Sequence, residues 1–341
     1  MTPLEVLRTS VVLAEDDGVH VVEVRGADAR RFLDHATPGP LALQDAQLRL
    51  TFLLDDDGRV LADVTVARDD DAYLLLVEGL SASRLLAELE ARREGLSVEL
   101  QIREGSPLSL HGPFAWELVA EVAGPDVLSM PYLSLLRGEN LVFRAGKTGE
   151  YGYQIVAPPS RRAPLLEELL RRGERYGLAR IDRPTLDLAA LENGFFTLRE
   201  VTRGLDPVEL QQQWRIDYQK PSFGIEALRH RRDTVARRVT TFLAPEGASV
   251  SADQGVWFGD RPIGRVLVAE VSPILGRAVG LALLDRAYAH AGIDRYEVRG
   301  PVAVPIRTVS PPLLENRSLH VRAQRHSWFG TTPADFPPVW P

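Results

Sequence analysis

Between Leu48 and Gly79 the sequence LRLTFLLDDDGRVLADVTVARDDDAYLLLVEG sets three apolar, strand-like runs around two acidic breaks. Asp55 to Gly58 form the first break and Asp69 to Asp71 the second. Asp and Gly supply local side-chain hydrogen bonds and positive φ, so both breaks read as hairpin turns. In the middle run, Val60, Ala62, Val64 and Val66 share one face by period two, and Leu61, Asp63 and Thr65 share the other. Asp63 is out of place there, because Asp competes for backbone hydrogen bonds and is depleted in strands. Pattern alone favours a solvent-wetted face for it over a carboxylate held for chemistry, perturbed carboxylates being the minority.

The same reading extends along the chain. Residues 11–25 predict a hairpin around an EDDG turn, with His20 on a strand face, and residues 26–35 predict a short helix. Residues 81–93 predict a helix with Ser81 as N-cap, followed by a strand over 98–103. A second round of strands and helices spans 109–194, with helices over 164–175 and 184–193, the latter closed by Gly194. Gly146, Gly149 and Gly152 recur every third residue in RAGKTGEYGYQIVAP; no GK[ST] opens a helix there, so the glycines serve close backbone approach to a ligand or strand. A strand through Trp214 and Ile216 and a helix from about Ile225 follow, the helix ending in the basic cluster Arg229 to Arg232. From about Val239 the chain is β-rich, and its aromatic, proline-rich tail is extended or disordered.

Composition narrows the classes. The 341 residues are 45% hydrophobic and 26% charged, an ordinary globular balance with enough chain for two or three domains. A formal net charge of -7 argues against a nucleic-acid partner. With no cysteine there is no thiol nucleophile or disulfide, and the seven scattered histidines make no metal-ligand spacing. The N-terminus lacks a signal-peptide pattern and no apolar run approaches the roughly 20 residues of a membrane span, so a cytoplasmic protein is expected.

Eight stretches in order, VRGADARRFL, DGRVLADVTVAR, HGPFAWELV, RAGKTGEYGYQIVAP, LAALENG, LDPVELQQQW, YQKPSFGIEAL and PIGRVLVAEVSPILGRAVGLALL, resemble the glycine cleavage T-protein (aminomethyltransferase) superfamily, which includes the folate domains of dimethylglycine and sarcosine oxidising enzymes. The resemblance implies an α+β fold of three domains around a central opening: residues 1–108, completed by part of 195–235; residues 109–235; and a β-barrel-like domain at 236–322, followed by the tail at 323–341. It also implies tetrahydrofolate in that opening, a small-molecule amine or methylated substrate, and a lipoyl-carrying partner whose docking surface nothing in the sequence marks. Asp63 matches the family aspartate beside the reactive ring nitrogens, which turns the balance toward an orienting or acid–base carboxylate.

Other positions depart from the pattern. By ungapped matching, Leu50 stands at a ligand-side tyrosine, Val77 at an asparagine beside Glu78, Gln154 at the glutamate that grips the pterin edge, and Leu186 at an arginine. Gln154 offers one acceptor where a carboxylate offers two, and losing one charge-assisted bond costs roughly 1.5–3 kcal/mol, or one to two decades of affinity. Glu150, Glu192, Glu209 and Trp214 are kept, with Glu150 and Trp214 expected at the cavity and Glu192 and Glu209 as supports of the core. Ser222 in QKPSFG replaces the cysteine of relatives that serve iron–sulfur assembly. The expected function is therefore a tetrahydrofolate-dependent one-carbon transferase with Asp63 as its catalytic residue. The alternatives are a diverged enzyme that acts without folate on an apolar molecule, and a non-catalytic folate-binding regulator or maturation factor.

Overall fold

The computed structural model describes residues 1–339. The chain opens with α1 (Pro3–Thr9), whose Thr2 and Glu5 form a reciprocal capping box, followed by β1 (Val12–Glu15) and β2 (Val19–Arg25). After α2 (Ala29–Ala36) comes the expected meander, β3 (Leu48–Leu54), β4 (Val60–Asp69) and β5 (Ala72–Glu78). Then follow α3 (Ala82–Ala91), capped by the Ser81 hydroxyl, and β6 (Glu99–Ile102). These strands form a sheet in the order β3-β4-β5-β2-β6. Its apolar face, with Val22, Val64 and Leu75, packs against Phe32 and Leu33 of α2 and Leu85 and Leu89 of α3.

The second unit contains β7 (Leu108–His111), α4 (Ala115–Ala123), β8 (Ser134–Leu136), β9 (Leu141–Arg144), β10 (Gly152–Val156), α5 (Pro159–Gly173), β11 (Ala179–Arg180) and α6 (Arg183–Asn193). Its sheet order is β11-β1-β7-β10-β9-β8. The hairpin expected over residues 11–25 is thus wrong: its two strands belong to different sheets. Leu13 enters the core beneath α4 and α5, while Val12 and Ala14 pack with α1 and α6. With both faces buried there, β1 is worth more between β7 and β11 than beside β2. Helix α5 starts earlier than expected because Pro159, not Pro164, occupies the first turn.

The segment around Trp214 is a short 3-10 turn, Gln213–Arg215, and not a strand. Leu205, Val208, Leu210 and Ile216 pack against Phe52, Leu54 and Val60 of the first sheet and against Val239, Leu267 and Leu283 further on. After α7 (Ile225–Thr234) the strands β12 (Arg237–Leu243), β13 (Gly255–Phe258), β14 (Arg261–Ser272), β15 (Arg277–Asp285), β16 (Tyr296–Arg299) and β17 (Ala303–Val309) close a barrel in the order β12-β15-β14-β13-β16-β17. The α+β class with two sheets and a C-terminal barrel is therefore as expected. The tail returns to the second unit, where Trp328 meets Phe114 edge-on with centroids 5.6 Å apart and Phe336 is buried against the same ring. The basic cluster on α7 is largely committed inward: Arg229 donates to the Tyr218 carbonyl, Arg231 pairs with Asp206, and Arg232 lies over the Tyr218 ring.

A buried polar network joins the units. Arg8 on α1 pairs with Glu192 on α6 at 2.7 Å and also donates to the Thr148 carbonyl at 2.6 Å and to Asn316 at 3.2 Å. The other oxygen of Glu192 accepts from Ser272 of β14 at 2.6 Å. Removing one partner of a buried ion pair leaves the other charge uncompensated. Replacing Arg8 by Met should lower unfolding free energy by about 3–5 kcal/mol in urea titrations, and an unchanged midpoint would refute the role assigned to this network.

Candidate functional site

Where the two sheets and α6 meet there is a cleft whose wall includes Asp63 and Thr65 of β4, Leu76 and Glu78 of β5, His111 of β7 and Gln154 of β10. The alternation of strand side chains decides which residues face it. Leu76 and Glu78 line the cleft, so Val77 between them points into the core beneath α2 and α3. From α6, Arg183, Leu186, Asp187 and Ala190 contribute one helical face. The glycine turn supplies Ala145 to Thr148. It can do so because Gly146 and Gly152 touch backbone to backbone: a Cβ on Gly146 would lie 2.5 Å from the Gly152 Cα. That approach carries Lys147 into the cleft.

Asp63 is 2% exposed and not on a wetted face, contrary to the pattern-based expectation. Its Oδ2 accepts from Lys147 Nζ at 2.5 Å and its Oδ1 from the Arg215 guanidinium at 2.7 Å. Burial alone would raise its pKa, but the Lys147 and Arg215 charges outweigh burial and hold it below the ordinary carboxylate value. Lys147 also lies 3.8 Å from Glu78, which is paired with Arg183, and Arg183 Nε donates to Asp187 at 2.8 Å. Arg215 is itself held by the rings of Phe52, Trp214 and Phe196, at 4.8, 5.2 and 5.4 Å.

A second carboxylate stands on another wall. Asp16 accepts from Gln154 Nε2 and from the Ser109 hydroxyl, each at 3.1 Å, and burial pushes its pKa up. Beside it His111 is buried, and its Nδ1 has no hydrogen-bond partner. Burial, with Arg183 nearby, lowers the His111 pKa to about 4, so the ring is neutral near pH 7. The lining thus holds four carboxylates (Asp16, Asp63, Glu78, Asp187) against two cations (Lys147, Arg183), with Val19, Leu76, Ala145, Leu186 and Ala190 as apolar surface. That set suits a flat, donor-rich nitrogen heterocycle or amine better than an anion. Among the described residues no cluster of three or more His, Cys, Asp or Glu is placed to hold a metal ion, and no helix is long and apolar enough to cross a membrane.

Of the residues singled out from sequence, Asp63, Glu78, Gln154 and Leu186 come together in this cleft. Leu50 and Val77 do not line it. Leu50 is buried opposite Thr65 on the neighbouring strand. Glu150 is a structural anchor, accepting from the backbone N–H groups of Arg317 and Ser318 at 3.1 and 2.8 Å. Trp214 is 63% exposed and reaches the site only through Arg215. The case for an apolar cavity therefore loses two of its three residues. Sequence reading missed Asp16, His111, Lys147, Arg183 and Arg215. Lys147 carried a signal, being one of two lysines and inside the glycine segment. Arg183 lies one turn before Leu186 on the same helix face, where it brings the positive charge that Leu186 lacks.

The His111 environment has a consequence for stability. In the unfolded chain the imidazole takes a proton near pH 6.5, but the folded one does so only near pH 4. The unfolded state therefore binds more protons between these values, and stability falls as pH drops through that window. Wild type should lose about 3 kcal/mol more than His111→Gln between pH 7 and 4 in denaturant titrations, and parallel pH profiles would refute this.

A family model described as GCVT N-terminal domain matches residues 3–220, and one described as glycine cleavage T-protein C-terminal barrel domain matches residues 237–315. An aminomethyltransferase of Chlorobium phaeovibrioides is 30% identical over 292 residues, 81% of this chain and 80% of the relative. One from Chlorobaculum tepidum is 29% identical over 316 residues, 89% and 85% of the two chains. The crystal structure of glycine cleavage system aminomethyltransferase T from Bartonella henselae superposes with a TM-score of 0.85 at 21% identity, covering 92% of this chain and 89% of that one, and so shares its fold.

Proposed function

Because the chain belongs to the glycine cleavage T-protein family, we propose that it is a tetrahydrofolate-dependent transferase that moves a one-carbon unit from a small amine or methylated substrate. The observation that carries this reading is the buried, ionised Asp63 in a cleft with apolar walls and an excess of carboxylates. The residues fit a reduced pterin. Asp16 would accept from donors on its amino edge, and the His111 ring and the free carbonyl of Gln154 would add polar contacts. Asp16 would thereby replace the carboxylate that Gln154 lacks. Leu186, Leu76 and Val19 would cover the flat faces.

When bound, tetrahydrofolate supplies the nucleophilic nitrogen that takes the carbon. Asp63 keeps lone pairs free beside its two cationic partners and can still accept from an N–H. Held below its ordinary pKa, it is a poor store for a proton. Its work is to orient the attacking nitrogen and to stabilise positive charge developing there. Lys147 and Arg215 keep it ionised, and Lys147, between Asp63 and Glu78, is the group that must shift or share its contacts when a ligand enters.

Calorimetric titration under reducing conditions should show tetrahydrofolate binding at about micromolar strength. Asp63→Asn should keep binding within about tenfold while one-carbon transfer falls by at least about 100-fold. Asp16→Asn should weaken binding by about one to two decades. A folded wild type that binds no folate at about millimolar concentration would overturn the proposal.

A further inference from the structure

A second cavity lies on the other side of α6, at the edge of the barrel. Thr197 lines both cavities; Leu186 and Ala190 of α6 face the first, Leu191 the second. The second exists because β12 and β17 part company. They pair from Thr241 and Val309 onward, whereas the earlier part of β12 is covered by a different segment: Val239 N–H donates to the Glu209 carbonyl, and Gln211 donates to the Val239 carbonyl. The gap between these two partners opens at Thr240.

The chemistry of this cavity is opposite to that of the first. Arg199, Arg238 and His290 line it, and no Asp or Glu does, in a chain of net charge -7. Arg199 is already engaged, by Glu270 and by the Asp187 carbonyl. Among the described residues Arg238, half-buried, has neither an acidic partner nor a side-chain hydrogen bond, although most arginines of this chain are paired. Thr240 is 5% exposed, yet its hydroxyl has no hydrogen-bond partner. Buried polar groups are nearly always satisfied, and an orphan hydroxyl on the same strand face as an unpaired guanidinium makes a place where acceptor atoms would be bound. Phe195, Phe196 and Leu281 give the cavity an apolar side as well.

We propose that this cavity binds a small anionic molecule through a carboxylate or phosphate group received by Arg238 and the Thr240 hydroxyl. The site stands apart from Asp63 and does not depend on folate binding. Inorganic phosphate and benzoate share the required acceptor chemistry and separate its two sources, a phosphorylated or a carboxylated ligand.

The test is calorimetric titration of the full chain with each probe. Saturable binding of at least one is expected, and Arg238→Gln should weaken it by about one to two decades, with Arg238→Lys recovering part of the loss. Thr240→Val should weaken it several-fold, with the urea midpoint reporting that each variant is folded. Asp63→Asn should leave anion binding unchanged even if it abolishes one-carbon transfer, so this proposal and the folate reading fail separately. No saturable binding of either probe, or equal binding by wild type and folded Arg238→Gln, would overturn it.

Discussion

The buried pair between Arg8 and Glu192 is the constraint on which the site depends. From Arg8 on α1 and Glu192 on α6 its further hydrogen bonds run to the glycine turn, the start of the last turn of α6, the barrel and the segment that follows the barrel, elements drawn from both ends of the chain. A buried ion pair is tolerable only when its remaining donors and acceptors are met. Here Thr148, Asn316, Ala189 and Ser272 meet all of them but the Arg8 Nε–H, and Asn193 ties Thr148 and Asn316 together. That requirement sets the position of α6 relative to the glycine turn. These two pieces bring Arg183 and Lys147 to opposite sides of Glu78.

Within the frame so set, Asp63 is the electrical centre. A carboxylate at that depth would ordinarily hold its proton. Two cations from distant parts of the chain keep it charged, one from the glycine turn and one from the turn before α7. The arrangement favours a group that orients and stabilises charge over one that stores a proton. It also gives the Trp segment of LDPVELQQQW a role without placing Trp214 in the cleft: the indole covers Arg215, and Arg215 touches Asp63.

The two cavities divide the ligand chemistry between them. One is lined by an excess of carboxylates, the other by arginine and hydroxyl groups with no carboxylate. Helix α6 separates them because different faces of it look into each, Leu186 and Ala190 into the first and Leu191 into the second, as in a helix buried between layers. The two linings therefore suit different ligands, one rich in N–H donors and one anionic.

Much of the fold was legible from local pattern. Period two located β3, β4 and β5, Ser81 began α3, and Gly194 ended α6, since these signals act over a few residues and need no distant partner. Pattern also isolated Asp63 as a carboxylate out of place, although it misjudged the surroundings, because the cations that pair it lie 84 and 152 residues away. Strand pairing was beyond local reading: β1 and β2 carry a sound turn between them and still enter different sheets, because burial on both faces of β1 outweighs its turn. The same holds for function. Residue types and their order pointed to a family and one aspartate. Only tertiary packing decided that Leu50, Val77, Glu150 and Trp214 stay out of the cleft while Asp16, His111, Lys147, Arg183 and Arg215 form or support it, since which side chains share a space is settled by contacts between segments and not by the segments themselves.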